Sequence, residues 1–426
     1  MQALCKVGIA ALLLACLSCL ADQPVAPAPR SDAQGPFAGR IRPPLIRPTP
    51  MSPKGPDVKP PLPDPWLALS YDQRLADAMV LQPTKIATPI DPISGSPEAV
   101  HPTKLYFPNG WHGYKYWKFV TPYLRSDYHY ENPSLLVSND DVIYIPPFWF
   151  SNPLVKPVAL PNSYNSDPDL SYDPIRDELI LIYRYVDQDF NHLMALTTQD
   201  GFNWIPWGDI LKERNHNAVS QSQSIEPDGN SAKIWYVQSG AAGCVSQNNS
   251  VKLVTAQRVS GKSFAQAVYQ TGPTVNWQQK GYNIWHAEVR KVSEKFGYLA
   301  VYAAYPSGFT CGHNDLFIAL SSDGINFETF ALPILWRSAM QMNSLYRATA
   351  MYDQATDVVT IEYSALDLFD HWHSSWKIAY NWSKLLRTLR ATNQSDIQIF
   401  VSRTPLPSII ATGGMTDSPA FLKNPP

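Results

Sequence analysis

Three segments of the chain carry the same short phrase at a near-constant spacing. They are Val137-Ser138-Asn139-Asp140-Asp141, Leu196-Thr197-Thr198-Gln199-Asp200-Gly201-Phe202-Asn203-Trp204 and Leu320-Ser321-Ser322-Asp323-Gly324-Ile325-Asn326-Phe327. Asp140 to Asp200 is 60 residues and Asp200 to Asp323 is 123, about twice that period, so a degenerate copy is expected between them; Val259-Ser260-Gly261-Lys262-Ser263-Phe264 stands there. A fixed period marks an array of like units, each too small to bury its own apolar face. Asp can bond its own backbone two residues on, Gly supplies a positive φ, and the closing Trp or Phe packs the turn onto a sheet, so the phrase reads as a tight hairpin.

With the hairpin as a phase marker between third and fourth strands, the unit around Pro168 resolves into four strands. Four strands at this spacing make a propeller blade with generous loops. Five inner strands are expected, containing Asn132-Leu136, Pro168-Leu170, Gln223-Ile225, Ala287-Arg290 and Arg347-Met351, with Lys115-Val120 as a second strand. The expected fold is all-β, a five-bladed β-propeller of four-stranded antiparallel blades over 101–405, with a tail at 406–426. In a closed ring the terminal segments complete one blade, so the tail is expected to pair near the start.

Ahead of the propeller, Lys6 and the apolar run Val7–Ala15 have the layout of a secretory signal peptide (1–21), too short to span a bilayer. Leu13-Leu14-Ala15-Cys16 resembles a lipoprotein signal, with Cys19 or plain cleavage near Ala21 as rivals. The protein is therefore expected outside the cytoplasm, periplasmic, outer-membrane or extracellular, touching a membrane only through such a lipid anchor. Residues 22–100 read as a Pro-rich linker and N-terminal extension, with one short helix over Tyr71–Leu81. A net charge of −2 without a dense Lys/Arg block argues against nucleic acid as a partner. Cys244 and Cys311 each follow a second strand and lie 67 residues apart, close to one period. Neighbouring blades should bring them together as a disulfide. No paired Cys or His spacing accompanies them, so neither a metal nor another cofactor is expected.

The segments His101–Trp117, Thr121-Pro122-Tyr123, Tyr130-Glu131-Asn132-Pro133-Ser134, Asn165–Leu170 and Trp285-His286-Ala287-Glu288-Val289 resemble the five-bladed propellers of the glycosyl hydrolase family 43-like group. That resemblance implies a sugar site at the axial mouth, with an Asp on the first inner strand as general base, an Asp on the second tuning its partner and a Glu on the third as general acid. Inverting cleavage needs two carboxyls on opposite sides of the scissile bond, one of them with a raised pKa.

The pattern carries over in part. Asp167-Pro168 matches the second blade, but Asn132-Pro133 stands where the base would be, with Glu131 beside it, and Val219–Ser224 offers no Glu. Glu288 is the remaining candidate acid. The catalytic candidates are thus Asp167, Glu131 and Glu288. Asn132, Trp111, Tyr130, Asp169, His286, Trp285, Arg290 and Arg347 are candidate contacts to carbohydrate, the aromatic members because flat rings with a polar edge suit pyranose faces. Two readings follow: a glycoside hydrolase acting by inversion, or a non-catalytic glycan-binding protein on the same scaffold. A sialidase would need an arginine cluster, for which the inner strands offer only Arg290 and Arg347.

Overall fold

Short apolar runs broken by Asn, Asp, Gly and Pro become strands, and these group into five antiparallel sheets around an axis. The computed structural model describes residues 64–398, apart from 161, 215–219, 260–262, 265–274, 294–295 and 394. The expected export segment, the Pro-rich stretch up to 63, part of the Val259–Phe264 phrase and the 406–426 tail lie outside the described residues. Among the described residues no helix is long and apolar enough to cross a membrane.

Helix α1 (Tyr71–Ala78) runs into strand β1 (Met79–Lys85). The first blade is β2 (Ala99–Trp111), β3 (Tyr114–Pro122) and β4 (Ser134–Ser138). The second is β5 (Tyr164–Asp173), β6 (Glu178–Val186), β7 (Phe190–Thr198) and β8 (Ile205–Arg214). The third comprises β9 (Ser220–Asp228), β10 (Ser231–Gln238), β11 (Ser250–Val259) and β12 (Ser263–Phe264). The fourth holds β13 (Tyr282–Ser293), β14 (Gly297–Pro306), β15 (Asp315–Ser321) and β16 (Glu328–Thr329). In the fifth, β17 (Met342–Asp353), β18 (Val358–Asp367) and β19 (Trp372–Asn381) are completed by β1 pairing antiparallel with β19. The ring thus closes with a strand from the stretch read as an extension, and helix α2 (Trp382–Arg390) packs against α1 behind it.

Neighbouring inner strands β2, β5, β9, β13 and β17 contact one another around the axis. The expected inner strand at Asn132–Leu136 is corrected here: that segment leads into β4, the third strand, and β2 is the inner one. Asn132-Pro133 imitates Asp167-Pro168 in sequence, but the structural counterpart of Asp167-Pro168 is His101-Pro102. Both dipeptides sit in β-bulges, where the register slips between Val100 and Thr103 and between Ser166 and Asp169, and where a proline's missing N–H does no harm. His101 (φ 55°) and Asp167 (φ 50°) take the left-handed conformation there, as does Ser222 (φ 51°) on β9. Similar slips fall between Ile284 and His286 and between Leu345 and Ala348.

Two residues beyond each of the first four bulge positions, a side chain ties one inner strand to the next. Thr103 accepts from the Leu170 N–H (3.1 Å), Asp169 from Ile225 (2.9 Å), Ser224 from Val289 (3.0 Å) and Glu288 from Ala350 (3.3 Å). Each rung satisfies an N–H that no strand ladder reaches at the crowded axis.

On the blade flanks the hairpin phrase performs one task three times. Asp140, Asp200 and Asp323 each accept two backbone N–H groups and a Ser or Thr hydroxyl. Gly324 (φ 76°) also lets Trp235 of the preceding blade lie against the turn: an added Cβ would stand 2.8 Å from its Cζ2, and the indole N–H donates to the Gly324 carbonyl (2.7 Å). Trp117 lies as closely against Gly201, its indole N–H donating instead to the Trp111 carbonyl (3.1 Å).

Among the described residues four blades have four strands and the first has three. After β4, Ile145 makes one bridge with Val137, and the Asn152 amide both accepts from the Leu135 N–H (2.8 Å) and donates to its carbonyl (2.9 Å). Cys244 and Cys311 form a disulfide between loops of the third and fourth blades.

Candidate functional site

The bulges deliver His101, Asp167 and His286 to one buried spot at the end of the ring where the inner strands begin. The His101 Nδ1 pairs with the Thr121 hydroxyl (2.9 Å), which fixes the ring and leaves Nε2 facing Asp167 Oδ1 at 3.5 Å. The His286 Nδ1 lies 3.4 Å from the same oxygen, and the two imidazole centroids are 5.0 Å apart. His101 Nε2, Asp167 Oδ1 and both nitrogens of His286 are buried without a hydrogen-bond partner among the described residues. Buried polar atoms are nearly always satisfied, and four unpartnered ones on three adjacent side chains form a set that a ligand could engage together. Ligands at about 2.1 Å in a tetrahedron stand about 3.4 Å apart; the two histidine contacts to Asp167, at 3.5 and 3.4 Å, have that spacing, and all three ligand atoms lie within 4.8 Å of one another.

Protonation fits the same guest. Burial pushes His101 down to about 4 and His286 well below the usual imidazole range, so both rings are neutral donors. Burial alone would raise Asp167, but its charged neighbours, the Arg347 and Arg184 guanidinium groups among them, outweigh it and hold the carboxyl below its ordinary value. Two neutral imidazoles and an ionised carboxylate suit a divalent cation such as zinc. The three residues come from three blades, at spacings of 66 and 119 in the chain, which no local motif reveals.

Below this cluster an ionic floor closes the axis. Arg290 contacts Asp169 (3.0 Å) and Glu288 (3.2 Å), and Arg347, fully buried, reaches Asp169 (3.2 Å) and the Gln223 carbonyl (2.9 Å). Thr349 donates to Glu288 (2.6 Å). Burial raises Asp169 to about 6 against the pull of Arg290.

The rim is aromatic. A 3₁₀ turn, Tyr128–Tyr130, presents Glu131, which is buried; that burial, then the Asp167 charge, pushes its carboxyl well above the usual range. Tyr346 lies 4.3 Å ring to ring from His286 and accepts from the Trp285 indole (3.0 Å), while Tyr128 and Tyr164 pair at 5.0 Å. Asn132 is bound between Asn165 (2.9 Å) and the His129 carbonyl (3.2 Å).

Of the sequence candidates, Asp167 and His286 meet directly, with Trp285 against His286 and Glu131 near Asp167, while Asn132 bonds Asn165 and Tyr130 ends the turn before Glu131. Asp169, Glu288, Arg290 and Arg347 make the floor. Trp111 is not brought there: it ends β2 at the opposite end from His101, donating to Asp177 (2.7 Å) and packing on Trp117. Its ring fills the seam between the first two blades. His101, Thr121 and Arg184 were missed as site residues; the one available signal was the repetition of His101-Pro102 as Asp167-Pro168.

No family model matches the chain. A curated relative, the A type blood N-acetyl-alpha-D-galactosamine deacetylase of Flavonifractor plautii, is 28% identical over 111 residues, which is 25% of this chain and only 14% of that protein. The crystal structure of an N-acetylgalactosamine deacetylase from F. plautii, in complex with blood group B trisaccharide, superposes with a TM-score of 0.60 at 19% identity, covering 73% of this chain and 97% of that one. A thermostable family-43 glycoside hydrolase gives 0.45 at 10% identity, over 69% and 91% of the two chains. The chain is a five-bladed β-propeller and shares its fold with the F. plautii deacetylase.

Proposed function

We propose that this is an exported, carbohydrate-directed hydrolase that binds a divalent cation through His101, Asp167 and His286 and removes an N-acyl group from an amino sugar. The observation that carries the reading is the buried cluster of these three side chains with its unpartnered ligand atoms. The deacetylase relative sharing the fold supports the choice of reaction. When bound, such a cation would polarise an acyl carbonyl and make a water more acidic.

The rest is done by the chain itself. Thr121 holds His101 in the tautomer that offers Nε2. Glu131, whose burial favours a protonated carboxyl near Asp167, would give that proton to the departing amine. The aromatic rim of Tyr128, Tyr164, Trp285 and Tyr346 would shape the sugar's seat and exclude water.

Glycosidic cleavage by inversion is the second reading, with Glu131 and Asp167 as the carboxyl pair. It loses Glu288, which accepts from the Ala350 N–H and from Thr349 and is engaged by Arg290, so it serves as a rung of the floor. The test is a panel of N-acetylated glycosides assayed for acetate and for free sugar, with and without a chelator. Acetate release abolished by chelation and restored by zinc or manganese is expected, with His286→Ala holding at least tenfold less metal. Sugar release that survives chelation would install the glycosidase reading; binding without turnover would leave a glycan-binding protein.

A further inference from the structure

Arg184 projects from β6 toward the mouth, and the reading above does not use it. Its Nε donates to Asn191 (2.9 Å), its guanidinium lies over the Tyr164 ring (5.4 Å to centroid), and Nη1 approaches Asp167 Oδ2 only to 3.8 Å, beyond hydrogen-bond distance. Both terminal nitrogens therefore lack an acceptor among the described residues, although the side chain is only 12% exposed. Across Asp167 the fully buried Arg347 repeats the pattern: Nη1 is 3.7 Å from Oδ1, and Nη1 and Nε have no partner. Two guanidinium groups thus flank one carboxylate without either forking onto it.

Charge counting points the same way. Arg184, Arg290 and Arg347 face Asp167, Asp169 and Glu288, with Glu226 beside Arg290, three cations against four carboxyls, so a divalent cation at the histidines would leave the mouth in positive surplus. Unfilled planar forks beside such a surplus suit a group with two or more anionic oxygens.

We propose that Arg184 binds an oxyanion at the wall of the mouth, which extends the hydrolase reading to a substrate carrying a carboxylate beside the reacting group. The same chemistry would serve the oxyanion formed when water adds to the acyl carbonyl, and the two sources separate experimentally. The proposal rests on the metal reading for its charge argument and its second source, whereas the unfilled forks of Arg184 and Arg347 stand without it.

The test compares wild type, Arg184→Gln and Arg184→Lys, with melting temperature and bound-metal content confirming that each is folded and loaded. Calorimetric titration with galacturonate and with galactose reads the ground state. At least tenfold loss of galacturonate binding in Arg184→Gln, with galactose unchanged and Lys partly restoring, supports the acidic substrate. Equal galacturonate binding but a kcat at least a hundredfold lower at unchanged KM assigns the fork to the reaction's oxyanion. If neither binding nor kcat moves in folded Arg184→Gln, the inference is overturned, whether or not the protein holds metal.

Discussion

Glu226 shows how single residues in the channel are balanced. On β9 near Arg290, burial lifts its carboxyl to about 7 despite that arginine. A carboxyl raised above its unfolded value of 4.5 contributes stability that is complete below pH 4.5 and lost as pH rises through 7. Partial exposure screens the effect to about 1–2 kcal/mol. Glu226→Gln should therefore match wild type in denaturant unfolding at pH 4 and exceed it by that amount at pH 8. At this scale the sequence was only half informative. Asp167 and His286 were found through an X-Pro dipeptide and a family likeness, whereas His101 carries no sign of its partners. What makes it a ligand is a bulge that turns the ring inward, and bulges follow from register.

At the level of the element, the hairpin phrase was legible because one hydrogen-bond cage demands the same residue types in every copy. The first inner strand was not, since Asn132-Pro133 and His101-Pro102 look alike until pairing shows which lies in a ladder. The missing fourth strand of the first blade was equally hidden, because a side chain does its work. Asn152→Ala strips both partners from the Leu135 backbone at a buried edge. It should cost about 1–3 kcal/mol, read as a lower denaturant midpoint with an unchanged slope.

For the whole molecule, the five-fold repeat was readable from spacing alone, and with it the Cys244–Cys311 link. That bond closes a 67-residue loop, so Cys244→Ser with Cys311→Ser should lower stability by roughly 4 kcal/mol if the native loops keep their places. Thermal melting with and without reductant checks this: the wild type should fall to the double variant's midpoint, and the variant should not respond. The way the ring shuts could not be read, since β1 sits in a stretch whose composition resembles a linker and earns its strand only by lying beside β19.

That closure sets a clock on synthesis. β1 emerges early, but its partner ends at Asn381, so at 5–20 residues per second the strand waits roughly 15–60 s for it. A bare β-edge left that long invites pairing with other chains. The segment Met79-Val80-Leu81-Gln82-Pro83-Thr84-Lys85 is suited to the delay, since Pro83 withholds an N–H and Lys85 charges the end.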